Sequence, residues 1–150
     1  MKTRFLVIVL IALIGFSCGQ KKKSETNEVA KSAKVEKEKA APDYSSHPGK
    51  MVYNQVCLVC HQSDAMGTPG MHPPLVGTEI IKGDNEKLID VVLNGLSGEI
   101  TVLGEVYNNV MPPNTNLTDK QIADVLNYIR LNFNGIDKPV TPEEVAAQRK

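Results

Sequence analysis

The stretch "QVCLVCHQS", residues 55–63, holds two cysteines separated by two residues, with a histidine directly after the second: Cys57, Cys60 and His61. Three chemistries use such a dithiol. A structural zinc site takes four protein ligands, usually from two such pairs. Here there is one pair, the remaining cysteine is Cys18 far upstream, and no second Cys or His pair appears. A thioredoxin-like redox dithiol sits in a strand–helix–strand setting, whereas this pair ends a helical pattern in a chain with little strand. Covalent attachment of haem consumes two thiols, one for each vinyl group, and needs an adjacent imidazole to reach the iron. Cys-x-x-Cys-His is that signature. Haem c, one per chain, is the cofactor these residues favour.

Composition agrees. The chain has 150 residues, room for one domain plus ends, with no Trp and only three Phe. Large core side chains are scarce, so a large apolar cofactor would help to fill the interior. Residues 18–43 contain seven Lys against five acids, while residues 44–137 contain five basic and ten acidic residues. A nucleic-acid-binding domain needs a basic face, so nucleic acid is excluded as a partner. An acidic domain instead fits partners with a positive docking patch.

The N-terminus reads as an export segment. Lys2 and Arg4 precede the apolar run "FLVIVLIALI", Phe5 to Ile14, followed by "GFSCGQKKK". A basic start, a short apolar run and small residues make a secretory signal, and the run is shorter than the roughly 20 residues of a membrane span. Through Ser17, Cys18 and the Lys-rich segment after them, it resembles the lipobox of bacterial lipoproteins. That resemblance implies a signal peptide over 1–17 and lipidation of Cys18. The expected location is the periplasmic side of a membrane, with several acyl chains giving a stable anchor. The alternative is ordinary cleavage after "GFS", leaving a soluble periplasmic protein with a free thiol. Two cysteines for haem and one for lipid leave none over.

Residues 18–45 are mostly Lys, Glu, Ala and Ser, a flexible lipidated linker too poor in apolar residues to order itself. From residue 46 the pattern changes. Pro48 suits a first helical turn, and Met51, Val52 and Val56 form an apolar stripe on a helix leading into the Cys57–His61 cluster. "MGTPGMHPPLVG", residues 66–77, is loop. Asp84 stands as N-cap to "NEKLIDVVLN", with Leu88, Val91 and Val92 facing inward and Gly95 as its stop. Two β-branched runs around Leu103-Gly104 predict a minor β-hairpin. Thr118 and Gln121 form a capping box before a helix that buries Ile122, Val125, Leu126, Ile129 and Phe133 and stops at Gly135. Thr141 and Glu144 open a short peripheral helix in the tail, residues 136–150.

With "CLVCH", "PPLVG", "VMPPN" and the capped "LTDKQIADVLNYIRLNF" in that order, the chain resembles the class I monohaem cytochromes c over residues 46–135. The resemblance implies a small all-α fold, three to five helices wrapped around one covalently bound haem. Its first and last helices, here Met51–Cys60 and residues 119–133, would cross. It further implies that the carbonyl of Pro73 (or of Pro74, since the proline is doubled) accepts a hydrogen bond from the axial His61, and that Leu75 packs on the haem face.

His61 occupies one face of the iron and leaves the other to be filled. Met51, Met66, Met71, Met111, His47 and His72 are the candidates. Met51 lies on the core stripe and His47 precedes the attachment helix. Met66, Met71 and His72 follow His61 too closely for the chain to round the haem edge with ease. Met111 has enough chain before it, and Pro112 and Pro113 stiffen the loop after it. A lone Met before a turn is more often core. The family's "VMPPN" motif decides for Met111, with Met71, Met66 and His72 as alternatives. His61 and Met111 as the two axial metal ligands leave no open coordination position. The expectation is therefore a single-electron carrier between redox enzymes or respiratory complexes, not an enzyme. The segment "GEITVLGEVYNNVMPPN" also resembles cytochrome domains found with alcohol or sugar dehydrogenases and copper nitrite reductases. A subunit permanently bound to a dehydrogenase or reductase is therefore the alternative, and a haem peroxidase a more distant one.

Overall fold

Pro48 opens the first helix, a position where a missing N–H leaves no hydrogen bond unmade. His47 stands at the N-cap, where its Nδ1 accepts from the Gly49 N–H at 3.1 Å. In a computed structural model, which describes residues 43–149, this helix is α over Pro48–Val52, π over Tyr53–Cys57 and α again over Leu58–His61. Cys18, the signal peptide and nearly all of the linker lie outside the described residues. The helix buries Val52 and Tyr53 and partly buries Val56, but Met51 is 62 % exposed. The expected Met51 stripe is therefore corrected. Gly49 faces the partner helix, so the inward positions are its i+3 and i+4 neighbours Val52 and Tyr53, and Met51 points away.

The partner is the helix Asp119–Tyr128, continued by a π-helical turn over Ile129–Phe133. Thr118 and Gln121 make the expected reciprocal cap: the Thr118 hydroxyl accepts from Gln121 N–H at 3.2 Å, and Gln121 Oε1 accepts from Thr118 N–H at 2.9 Å. Ile122, Ala123, Val125, Leu126 and Ile129 face the core. The two helices touch backbone to backbone at Gly49, where a Cβ would stand 2.0 Å from the Asp124 carbonyl oxygen and 2.7 Å from Tyr128 Cβ. Beyond the crossing, Tyr53 packs against Phe133 and Tyr128 with ring centroids 5.2 and 5.8 Å away.

Between these helices come the short helix Glu79–Lys82 and the helix Asn85–Asn94. The second buries Leu88, Ile89 and Leu93, with Val91 and Val92 only half-buried. Its inward face is thus turned one position from the expected one. Asp84 stands at the N-cap without a capping bond from its side chain and pairs with Lys138 at 3.6 Å. The hairpin is present: β1 (Ile100–Val102) pairs antiparallel with β2 (Glu105–Tyr107), Ile100 opposite Tyr107. The fold of the described residues is mostly helical with this one small sheet.

The tail helix Pro142–Gln148 has the expected Thr141–Glu144 capping box, but it is not peripheral. Val140 and Val145 are buried with the core. Arg130 shows why the tail docks. Its guanidinium is wholly buried and donates to the carbonyls of Ile81 at 2.9 Å, Gly83 at 3.0 Å and Lys138 at 2.7 Å, and to Asn85 Oδ1 at 2.6 Å. A buried cation needs all of those acceptors, and the tail supplies one of them. Asn85 in turn donates to the Glu144 carboxylate at 2.9 Å.

The close approach at Gly49 makes a direct prediction. Gly49→Ala leaves the helix propensity improved but forces the two helices apart. Denaturant unfolding of the holoprotein is expected to show a loss of about 3 kcal/mol. Unchanged stability would mean that the helices do not meet at this residue.

Candidate functional site

Cys57 ends the π-helical turn, and Cys60 and His61 close the helix. Residues three apart lie on one side of a helix, so the two thiols share a face next to the imidazole. Both are half-buried, and no disulfide joins them. Burial, with Cys60 beside it, pushes the Cys57 thiol up to about 11, so it is protonated at neutral pH.

His61 is 9 % exposed, and its Nδ1 donates to the Pro73 carbonyl oxygen at 3.0 Å. A neutral ring that gives its proton from Nδ1 keeps a lone pair on Nε2, the nitrogen a metal would take. Burial lowers the pKa of His61, against the opposing effect of the Pro73 bond, and so favours that neutral ring. Of the two adjacent prolines, Pro73 is the one that meets His61.

The loop is folded to bring that carbonyl in. Gly67 N–H donates to His61 O at 3.0 Å, Thr68 and His72 exchange backbone bonds of 2.8 Å, and Leu75 N–H donates to Ala65 O at 2.8 Å. Gly67 sits at the closest point. A Cβ there would lie 2.2 Å from His72 O and 2.6 Å from Pro73 O, so any side chain would displace the acceptor of His61. In the sequence Gly67 carries no distinguishing mark, being one glycine among several punctuating residues of the loop. Leu75 is half-buried against the core.

Met111 is set by a different element. Its backbone exchanges bonds of 2.8 and 2.9 Å with Leu96, just past the helix Asn85–Asn94. Gly95 ends that helix at φ 74, and a Cβ there would meet Met111 O at 2.4 Å. Asn114 N–H donates to Val92 O at 3.0 Å, pinning the far side of the same loop. "VMPPN" is thus laid against the C-terminal end of a helix. Of the described methionines, Met111 alone is half-buried; Met51, Met66 and Met71 are more than half exposed. His47 is committed to its helix cap, and His72 is held in the His61 loop.

Two thiols on one helix face, an imidazole with a free Nε2 and a semi-buried thioether are the donor set that haem c uses. Val56, Leu58, Val76, Val92 and Leu117 are only partly buried where they pack against the core. Among the described residues, no group of three or more His, Cys, Asp or Glu side chains comes together to hold a bare metal ion.

Residues 46–132 match the family profile described as Cytochrome c. A cytochrome c-552 of Thermus thermophilus is 43 % identical over 110 residues, covering 67 % of this chain and 83 % of that protein. The cytochrome c subunit of an alcohol dehydrogenase (quinone) of Gluconacetobacter polyoxogenes is 32 % identical over 114 residues, 73 % of this chain but 24 % of that subunit. A gluconate 2-dehydrogenase cytochrome c subunit of Pantoea cypripedii is 35 % identical over 111 residues, 70 % of this chain and 24 % of that subunit. The chain therefore belongs to the cytochrome c family, electron-carrier proteins that bind haem c covalently, and Cys57, Cys60 and His61 stand in its Cys-x-x-Cys-His motif.

Proposed function

We propose that the protein is a single-electron carrier outside the cytoplasm. In this reading haem c is bound through Cys57 and Cys60, His61 and Met111 are the two axial ligands, and lipidated Cys18 tethers the domain to a membrane. The observation that carries it is a buried imidazole bonded to the Pro73 carbonyl together with the one half-buried described methionine, whose backbone is bonded to Leu96. Haem c, when bound, supplies a one-electron couple at its iron. Pro73 fixes the tautomer of His61 and strengthens Nε2 as a donor. Met111 offers a soft thioether, which favours the reduced state and raises the potential. Leu75 covers the haem face and helps to exclude water. With both axial positions filled by the chain, no position is left for a substrate, and the role is electron transfer rather than catalysis.

The linker sets the range of action. A random-coil tether of about 25 residues would span on average ~5–6 Å × √n, a few tens of ångströms, and would keep the domain concentrated near membrane enzymes. The partner's charge can also be inferred. Residues 51–78 and 88–118, which carry the Cys57–His61 cluster and both ligand loops, contain no Lys or Arg, whereas Asp64, Asp90, Glu99 and Glu105 in them are exposed. A donor or acceptor with a cationic rim fits that surface. Relatives that are cytochrome subunits of dehydrogenases support a second reading, in which this chain stays bound to such an enzyme. Size exclusion of the native protein separates the two.

Replacing Met111 with Ala is expected to abolish the weak long-wavelength absorption band of the iron–thioether bond. Met111→His should keep six ligands while lowering the midpoint potential by on the order of 0.2 V, inside the span that axial ligation controls. If the native protein has no such band, Met111 is not a ligand. The tether is tested by Cys18→Ser, expected to move the protein from the membrane fraction to the soluble one; retention in membranes would reject the lipid anchor. Stopped-flow association with a cationic redox partner should slow about tenfold or more between low and physiological salt, and Glu99→Lys with Glu105→Lys should remove most of that dependence. A rate that rises with salt would reverse the sign of the partner.

A further inference from the structure

Gln62, the residue directly after His61, has φ 63 and ψ 171. That corner of backbone space belongs essentially to glycine, so an L side chain there is strained and persists only where its surroundings hold it. The peptides on both sides of Gln62 are held. His61 O accepts from Gly67 N–H at 3.0 Å and Gln62 N–H donates to Leu58 O at 2.9 Å. Gln62 O accepts from the Tyr53 hydroxyl at 2.6 Å. Tyr53 lies earlier on the same helix, is 1 % exposed and is fixed by Phe133 and Tyr128. A phenylalanine would fill that ring pocket equally well. The hydroxyl adds only its bond to Gln62.

We propose that Tyr53 is a positioning residue for His61: its hydroxyl latches the strained Gln62 peptide, holds the chain reversal, and so keeps the imidazole on the Pro73 carbonyl with Nε2 presented to the iron. This inference rests on His61 being an axial ligand. Without the latch, Gln62 relaxes toward ordinary φ, the His61 backbone moves with it, and the Nδ1–H bond to Pro73 loosens. A ring held at both ends moves little when the iron changes charge, which is what a fast one-electron carrier requires.

The test uses the holoprotein with Tyr53→Phe, Gln62→Gly and the double variant. In Tyr53→Phe the His61 Nδ1–H, followed by NMR, is expected to exchange with solvent about five- to tenfold faster, the size of one net hydrogen bond, and the midpoint potential is expected to shift. In the Gln62→Gly background, where glycine removes the strain, the same change should have a clearly smaller effect on both readouts. Unchanged exchange and potential in Tyr53→Phe would overturn the proposal even if the variant melted earlier, because the hydroxyl would then serve stability alone. Equal effects in the two backgrounds would also overturn it, because strain at Gln62 would play no part. If the wild-type protein shows no iron-shifted His61 ring resonances, the axial assignment fails and the latch falls with it; if they are present and unaffected, only the latch fails.

Discussion

One hydrogen bond, from His61 Nδ1 to the Pro73 carbonyl at 3.0 Å, constrains most of what surrounds it. To make it, a helix must end at His61, the chain must reverse at once, and a loop must return a carbonyl to the ring. The reversal falls on Gln62 in a glycine-like conformation. The return requires Gly67, since a side chain there would stand where the carbonyls of His72 and Pro73 lie. The helix must in turn be seated, and Gly49 allows the backbone contact with Asp124 that seats it. The helix crossing and the imidazole are thus linked through fourteen residues of one helix, Pro48–His61.

What could be read from the sequence divides along physical lines. Signals confined to a few adjacent residues were legible: Cys57-x-x-Cys60-His61, the Thr118–Gln121 and Thr141–Glu144 boxes, and the Leu103-Gly104 turn all appear where their spacing put them. Which way a helix faces was less legible, because that depends on what it packs against. Met51 fits an apolar stripe on paper, yet Gly49 turns the helix so that Val52 and Tyr53 go inward. Likewise Ile89 rather than Val91 is buried in the helix Asn85–Asn94. Residues whose role is to leave space, Gly67 and Gly95, were not legible as site residues, for their importance lies in an atom they lack.

The tail teaches the same lesson about charge. A Lys- and Glu-containing C-terminus looks solvated, but Arg130, twelve positions after the N-cap residue Thr118 and locally unremarkable in sequence, is wholly buried. It can stay charged there only with its acceptors in place. These come from Ile81, Gly83, Asn85 and Lys138, segments far apart in the chain. Burial of Val140 and Val145 follows from that convergence. The tail lies past the 46–132 family match, and Arg149 at its end donates to the carbonyls of Thr115 and Leu117, just beyond the Met111 loop.

Charge is unevenly spread along the chain. Every Lys and Arg of residues 43–149 lies outside the two segments 51–78 and 88–118. Several are engaged in ion pairs: Lys82 with Glu79, Lys120 with Asp124, Lys138 with Asp84 and Arg149 with Asp119. The cations thus serve the scaffold, while the segments bearing the proposed ligands keep only acids, unpaired among the described residues and exposed. Paired surface charges contribute little to stability, but they also contribute little field. An unpaired acidic rim does the opposite: it leaves the fold unsupported and projects a negative potential toward an approaching partner. The arrangement that adds least to folding is the one best suited to choosing with whom the electron is exchanged.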